Sequence, residues 1–376
     1  MRKSFVAVAA ALACVLAGCT VDGTATRGPV QLLTGEYGRM QSSPLPEATT
    51  DASWGKLRGV RLAEHMIFAH DLDPKLDDGK MPTQALAVPR NSAVIVPDSA
   101  DLPVMRDFQY GFTLSSGNET DTDIGFNHAV YAFSSPTAAT AATKQFSDLM
   151  LRPTEYSHYR LAAVPGMPTG AVVIHDEERG THTVVAFTAV GARMIYTWAQ
   201  SPDRSWAERI VKDAYEKQKA LLDEAGPESQ DRDPDPDHLI TGTVADPDGQ
   251  TAPLHGAVYS QRAAALFYSD QAAAYEALKK AGIEQFAWND TQAYKAGSHE
   301  QAEGWLDFLE KDTKGQTGRS AASPQDLSTA RCVTVDQGAG CFIAVGPYVG
   351  EAYGEDLTTA QEKISAQYTF LTKLDQ

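Results

Sequence analysis

The sequence is poor in basic side chains and carries few marks of a common enzyme. Its 376 residues include 32 Lys and Arg against 49 Asp and Glu, which gives a formal net charge of −17. A surface this acidic repels phosphate backbones, so nucleic acid is not an expected partner. No Gly-X-Ser-X-Gly elbow, Walker A loop or dinucleotide-binding glycine fingerprint occurs. The sequence therefore predicts no cofactor and favours a non-enzymatic protein.

Apolar runs are also short. The longest, from residue 5 to residue 16, follows Arg2 and Lys3 and falls below the ~20 residues that a membrane span needs. A basic start, a brief apolar stretch and small residues before Cys19 are typical of a cleaved secretory signal. The segment Leu16-Ala-Gly-Cys19 resembles the lipobox of bacterial lipoproteins, which implies lipid attachment to the Cys19 sulfur. An ordinary cleaved signal with a cysteine nearby is the alternative.

Lipidation would give the chain a membrane partner through Cys19. We expect residues 1–18 to be the signal peptide and residues 19–35 a lipidated flexible tether, because the latter are mostly small and polar. Two acyl chains give lasting attachment, since each buried methylene contributes ~0.8 kcal/mol. These features predict a location in the cell envelope, on the outer face of the cytoplasmic membrane.

Cysteine is scarce, with four residues in the chain. Removal of Cys14 with the signal and lipidation of Cys19 leave Cys332 and Cys341. The two flank a predicted hairpin, and disulfides persist in exported proteins, so we expect a structural disulfide between them. A free redox dithiol is the alternative, although the close Cys-X-X-Cys spacing is lacking.

One break in composition divides the chain. Residues 226–238 carry five carboxylates and three prolines, which predicts a stiff, extended and solvated acidic linker. Its alternating aspartates lack the glycine and terminal glutamate of an EF-hand loop, so a calcium site is the weaker interpretation. The break predicts an N-terminal domain at residues 36–225 and a C-terminal domain, with the disulfide, at residues 239–376.

Both predicted domains mix strands and helices. Ser135, Ser201 and Ser298 are predicted N-caps of helices, and residues 88–96 are among the predicted strands. This pattern indicates an α+β fold of mixed or antiparallel sheets with helices packed on one face. The two halves also suggest a pseudo-duplication. Residues 131–139 parallel 266–274, and the helix that contains Trp206 parallels the final helix.

A histidine pair is the candidate metal site. His175 and His182 flank an acidic turn and could face each other across a hairpin, where Glu177 would complete a zinc or copper site. The alternative is a pair of exposed histidines beside a turn, with no ligand.

Several loose motifs together resemble a family. They are Val21-Asp-Gly-Thr-Ala after the lipobox, Ser260-Gln-Arg-Ala-Ala-Ala-Leu-Phe, Gly346-Pro-Tyr-Val and Ser365-Ala-Gln-Tyr-Thr-Phe-Leu. The chain is similar to an uncharacterised two-domain lipoprotein family of mycobacteria, nocardiae and related actinobacteria. That resemblance implies an envelope location and two α+β domains, and it carries over no catalytic residue. We expect it to bind an envelope protein or an apolar ligand; a hydrolase of envelope lipid or glycan and a structural spacer are the alternatives.

Overall fold

The strands form two separate sheets. The computed structural model describes residues 32–155, 157–176, 180–246, 254–315 and 317–376. Within these, the strands of the first half are β1 (Asp78–Leu86), β2 (Phe108–Gly117), β3 (Gly125–Phe133), β4 (Arg160–Ala162), β5 (Val172–Asp176), β6 (His182–Val190) and β7 (Arg193–Ser201). Those of the second half are β8 (Ala257–Ser260), β9 (Gln285–Trp288), β10 (Gln292–Lys295), β11 (Arg319–Ala321), β12 (Arg331–Val335), β13 (Gly338–Val345) and β14 (Tyr348–Gly354).

The helices alternate with groups of strands. They are α1 (Asp51–Leu62), α2 (Pro136–Met150), α3 (Arg204–Glu224), α4 (Gln261–Ala265), α5 (Gln271–Lys280), α6 (His299–Lys314) and α7 (Leu357–Leu374). Short 3-10 helices lie at Gly35–Arg39, Ala63–His65, Pro89–Val94, Ser99–Asp101, Pro103–Asp107 and Leu239–Gly242. Across the described ranges, none of the helices combines the length and the apolar character that crossing a bilayer requires.

The two sheets have the same topology. The first runs β1-β2-β3-β7-β6-β5-β4, and the second, read from its other edge, runs β8-β9-β10-β14-β13-β12-β11. All the pairings between neighbouring strands are antiparallel, so the predicted α+β class is confirmed. In each half one helix (α2 or α6) follows the third strand, and another (α3 or α7) follows the seventh.

Helices cover both faces of each sheet, whereas the sequence predicted one face. In the first sheet Phe146 of α2 packs in the same cluster as Val185, and Ile210 of α3 packs in the same cluster as Val184. Successive residues of a strand point to opposite faces, so α2 and α3 lie on opposite sides. The second sheet repeats the arrangement with α6 and α7. Strands buried on both sides lose the strict apolar-polar alternation by which a single covered face would be recognised.

The duplication is visible in details of sequence once the topology is known. The turn between the last two strands of each half reads Ala-Val-Gly, at residues 189–191 and 344–346, and both glycines have positive φ (56° and 54°). Ser135 and Ser298 cap the helices after the third strand, while Asp203 and Asp356 cap those after the seventh. The predicted parallel of Trp206's helix with the final helix is therefore right.

Three local predictions were wrong. Residues 131–139 run from β3 into α2, whereas residues 266–274 join α4 to α5, so that parallel does not hold. Residues 88–96 form no strand but contain the 3-10 helix Pro89–Val94, because Pro89 lacks the N–H that a strand ladder needs. Ser201 remains in β7, and the cap of α3 is the Asp203 carboxylate, which accepts from the Ser205 and Trp206 amides.

Chain order and spatial order differ at both ends of the first half. Residues 35–39 pack on α7, and Gln41 bridges Val244, so this segment lies on the second half. The sequence predicted that the acidic segment at residues 226–238 is solvated, but part of it is buried. Its Asp235 is 1% exposed and accepts from the Leu239 and Ile240 amides at 2.9 Å each.

Candidate functional site

Arginines cluster where the acidic segment crosses the first half. We call this region the arginine cleft and define it by Arg58, Arg61, Tyr110, Arg193 and Glu228. The first two belong to α1, the tyrosine to β2 and Arg193 to the start of β7. Glu228 belongs to the segment that the sequence analysis predicted as a linker.

One carboxylate lies between two guanidinium groups in the cleft. Arg58 donates from Nε and Nη2 to Glu228 Oε2 at 3.0 and 2.7 Å. Arg193 Nη2 lies 3.7 Å from Glu228 Oε1. The Arg58 guanidinium also stacks on the Tyr110 ring, 4.1 Å from its centroid. The cleft therefore binds a carboxylate through both of its oxygens and orients one arginine with an aromatic face.

Close packing of α1 on the sheet positions these side chains. A Cβ at Gly55 would lie 2.4 Å from the Ala87 carbonyl oxygen, and one at Gly59 would lie 2.6 Å from that of Gly111. Only glycine permits this approach. Arg58 lies between the two glycines in α1, and its side chain reaches Tyr110 near the start of β2. The tight turn at Gly191 places Arg193 at the start of β7, beside the same tyrosine.

Two cavities share Glu228 in their lining. The first, of about 340 Å³, is lined by Arg58, Arg61, Leu62, Glu64, His65, Tyr110, Arg193 and residues 225–229. The second, of about 360 Å³, shares Arg58, Tyr110, Arg193 and Glu228 and extends to residues 190–192. Burial, and then the charge of Arg58, lowers the pKa of Arg193. The two cations repel each other, so an anion between them is favoured.

The rest of the acidic segment is held by backbone contacts. Arg61 donates to the Asp231 carbonyl at 2.6 Å and to that of Asp233 at 3.3 Å. Arg232 donates to the Ala48 carbonyl at 2.6 Å and stacks on Trp54 at 4.6 Å. These contacts hold the acidic segment along α1 and so position Glu228 in the arginine cleft.

The two histidines of the predicted metal site do not face each other. The register pairs His182 with Asp176 and His175 with Thr183, so the two imidazoles point to opposite faces of the sheet. His182 Nδ1 lies 2.8 Å from Asp176 Oδ1, and His175 Nδ1 accepts from the His158 amide at 3.2 Å. Glu177 lies outside the described residues. Elsewhere in the described ranges no group of three potential ligands is close enough to hold a metal.

The cysteines occupy different parts of the chain. Cys332 and Cys341 lie directly opposite each other in the β12–β13 pair, and their sulfur atoms are bonded. The pair is thus compatible with the disulfide that the sequence predicts. Cys19, the predicted lipidation site, lies outside the described residues, as does the signal peptide.

Besides the arginine cleft, the molecule has a buried carboxyl group in its second half. Glu351 of β14 is 2% exposed, and it accepts from the Tyr294 hydroxyl and, at 2.7 Å, from the Tyr353 hydroxyl. Tyr268 extends the chain of hydroxyls, 2.6 Å from that of Tyr294. Burial raises the pKa of Glu351 to about 7. The arrangement can hold a proton near neutral pH, and it lies beneath α6 within the core.

The arginine cleft was not predicted from the sequence. Its members lie up to 170 residues apart, so no local spacing connects Arg58 with Glu228. A partial signal was present, because Trp54, Arg58 and Arg61 fall on one face of a helix.

Two antiparallel sheets of one topology, each with helices on both faces, define a two-domain α+β protein. The chain belongs to the family described as Domain of unknown function (DUF7373), whose N-terminal part matches residues 45–238 and whose C-terminal part matches residues 231–373. The two matches meet within the acidic segment.

Among solved structures, the extracellular domain of PknH from Mycobacterium tuberculosis is similar to part of the chain. The match covers 46% of this chain and 98% of that one, with 14% sequence identity and a TM-score of 0.27. The comparison with curated proteins found no match.

Proposed function

We propose that this protein is a lipid-anchored binding protein of the cell envelope that takes a small anionic ligand at the arginine cleft. The observation that carries the proposal is the Glu228 carboxylate, which contacts Arg58 and Arg193 between two cavities. A ligand carboxylate or phosphate can take the same position and extend into either cavity.

Charge and geometry support this ligand class. Arginine forks match the two oxygens of a carboxylate or phosphate, and Tyr110 fixes the plane of the Arg58 fork. The cluster also stands out against the net charge of −17 over the chain. A cavity of about 340 Å³ lies at the lower end of the usual size of small-molecule sites.

Calorimetry with defined anions tests the site. We expect the soluble chain lacking its first 18 residues to bind citrate or inorganic phosphate, and the Arg58→Ala/Arg193→Ala double variant to lose at least tenfold in affinity. Arg160→Ala is the matched control, because Arg160 of the edge strand β4 pairs with Asp176 of β5 in the same sheet and does not line the arginine cleft. Equal affinity for the wild type and the double variant would reject the arginine cleft as the site.

Anchoring through Cys19 is the second part of the proposal. It is supported by the lipobox-like Leu16-Ala-Gly-Cys19 and by the Cys332–Cys341 disulfide, which suits an oxidising compartment. Membrane fractionation of the native host should find the wild type with membranes and a Cys19→Ala variant in the soluble fraction. Equal partitioning of the two would contradict lipidation at Cys19.

An apolar ligand has one observation in its favour. A separate cavity of about 110 Å³ lies between α1 and β8, lined mainly by apolar side chains. It is smaller than the ~150 Å³ that holds benzene in an engineered core. This volume supports an occupant of a few heavy atoms rather than an acyl chain.

A further inference from the structure

The small cavity between α1 and β8 contains an amine. We call it the lysine cavity; its lining comprises Leu45, Pro46, Ala48, Ser53, Lys56, Leu57, Val60, Pro234 and residues 256–258. Lys56 is its only basic residue. The Lys56 amine donates to the His255 carbonyl, and within the described ranges no carboxylate lies within ion-pair distance of it.

A second shielded lysine shows what is unusual about Lys56. The Lys363 side chain is 13% exposed, and its amine lies 2.9 Å from Asp290 Oδ2 and 3.0 Å from Oδ1. A carboxylate partner favours the charged ammonium. Lys56 has a carbonyl partner and apolar walls, both of which leave a positive charge poorly compensated. Burial accordingly lowers the pKa of Lys56 to about 8.

Ser53 lies one helical turn before Lys56. The Ser53-Trp-Gly-Lys56 spacing matches the Ser-X-X-Lys pair of some acyl-transfer enzymes and was overlooked in the sequence. The Ser53 hydroxyl, however, closes a capping box: it accepts from the Thr50 amide at 3.0 Å and donates to the Thr50 carbonyl at 3.1 Å. Ser53 is thus committed to the helix terminus, and Lys56 is the available nucleophile.

From this geometry we propose that Lys56 captures a small carbonyl compound, an aldehyde with a short apolar substituent, as an imine. The nitrogen lone pair attacks the carbonyl carbon, and the resulting carbinolamine loses water as the C=N bond forms. No oxidant or reductant takes part. A neutral amine in an apolar pocket is the usual form of an imine-forming lysine. The lysine cavity is distinct from the arginine cleft, so the inference does not depend on the proposed anion site.

Reductive trapping tests the proposal on the full folded chain. Propanal and cyanoborohydride at pH 7, followed by peptide mass mapping, should propylate Lys56 at least tenfold faster than Lys363. The rate at Lys56 should rise with pH and level off above about 8, because the neutral amine is the reactive form. Loss of the Lys56 peptide adduct in a Lys56→Arg variant, with an unchanged circular dichroism spectrum, verifies the assignment.

Two results would overturn the proposal. Trapping at Lys56 no faster than at Lys363 would show that the cavity confers no reactivity. A limiting dose of acetic anhydride provides the second measurement: an amide on Lys56 agrees with the proposal, whereas an ester on Ser53 would make the serine the nucleophile. Both measurements use the native chain and do not depend on the folding of a variant.

Discussion

The two halves share a backbone plan and differ in the side chains that it carries. Counted from the Ala-Val-Gly turn, Tyr196 of β7 occupies the position that Glu351 occupies in β14. The Tyr196 ring packs on Phe187, 5.4 Å between centroids, whereas the Glu351 carboxyl accepts from two tyrosine hydroxyls. Strand order and caps thus persist while a core position changes from aromatic to acidic. The halves are duplicates in topology and not in chemistry.

A buried glutamine in the last helix of each half gives a closer comparison. Gln218 of α3 accepts from the Ile67 amide at 3.2 Å, donates to the His65 carbonyl at 2.7 Å and lies 3.1 Å from His128 Nε2. Gln367 of α7 donates to the Gly242 and Gln292 carbonyls, and its own oxygen has no hydrogen-bond partner. Both glutamines hold the segment that precedes the first strand of their half, but the first is more fully bonded.

Replacement of Gln218 should give the largest loss of stability among the substitutions considered. Gln218→Leu leaves three buried polar groups unpaired, and we expect it to lower the free energy of unfolding by about 4 kcal/mol. Gln367→Leu leaves two carbonyls without a donor and should cost about 2 kcal/mol. Urea denaturation of both variants measures the difference. Equal losses would show that the two glutamines are energetically equivalent.

The acidic core position should make the second half sensitive to pH. The folded state raises the pKa of Glu351 from 4.5 to about 7, so it binds this proton more tightly than the unfolded chain does. The stability from this group is complete below pH 4.5 and is lost as pH rises through 7, a change of about 3 kcal/mol. Glu351→Gln keeps the shape and removes the titration. Its unfolding free energy should vary less between pH 5 and pH 8 than that of the wild type; an unchanged slope would assign the dependence to other groups.

The disulfide is a further difference between the halves, and its removal should cost less stability than the replacement of Gln218 or the titration of Glu351. The cross-strand pair equivalent to Cys332 and Cys341 in the first half is Val172 and Ala186, which has no covalent link. Replacing both cysteines by alanine should lower stability by about 2.5 kcal/mol, because the bridge closes a short loop. Thermal unfolding under non-reducing conditions is the measurement. A loss below 1 kcal/mol would show that the strand pairing alone holds this hairpin.

Removal of the helix caps should give the smallest loss of stability, and the loss should be nearly equal in the two halves. Asp203→Ala and Asp356→Ala each remove a carboxylate that accepts from amides in the first turn of the last helix. We expect each substitution to cost about 1 kcal/mol, measured by urea denaturation. A cost that differs more than twofold between the two would break the equivalence of these helix starts.

Elements marked by local sequence signals could be predicted, whereas the pairing of strands that are distant in the chain could not. α2, α6 and α7 were recognised because their caps and apolar periods lie within a few residues. β1 was missed, since half of it is polar and exposed and Pro82 interrupts it. The two histidines of the predicted metal site take opposite faces of the sheet, because a one-residue difference in pairing decides which face a side chain takes. The arginine cleft depends on the same long-range information.

The segment at residues 36–42 follows the predicted tether and docks on the second half before the chain enters the first sheet. Ser42 lies 2.7 Å from the Thr243 hydroxyl and accepts from the Asn289 amide at 2.9 Å. The second half is therefore not a continuous stretch of polypeptide. Cleavage within residues 226–238 would release a C-terminal fragment that lacks part of its own packing, while the piece that completes it stays attached to the other fragment.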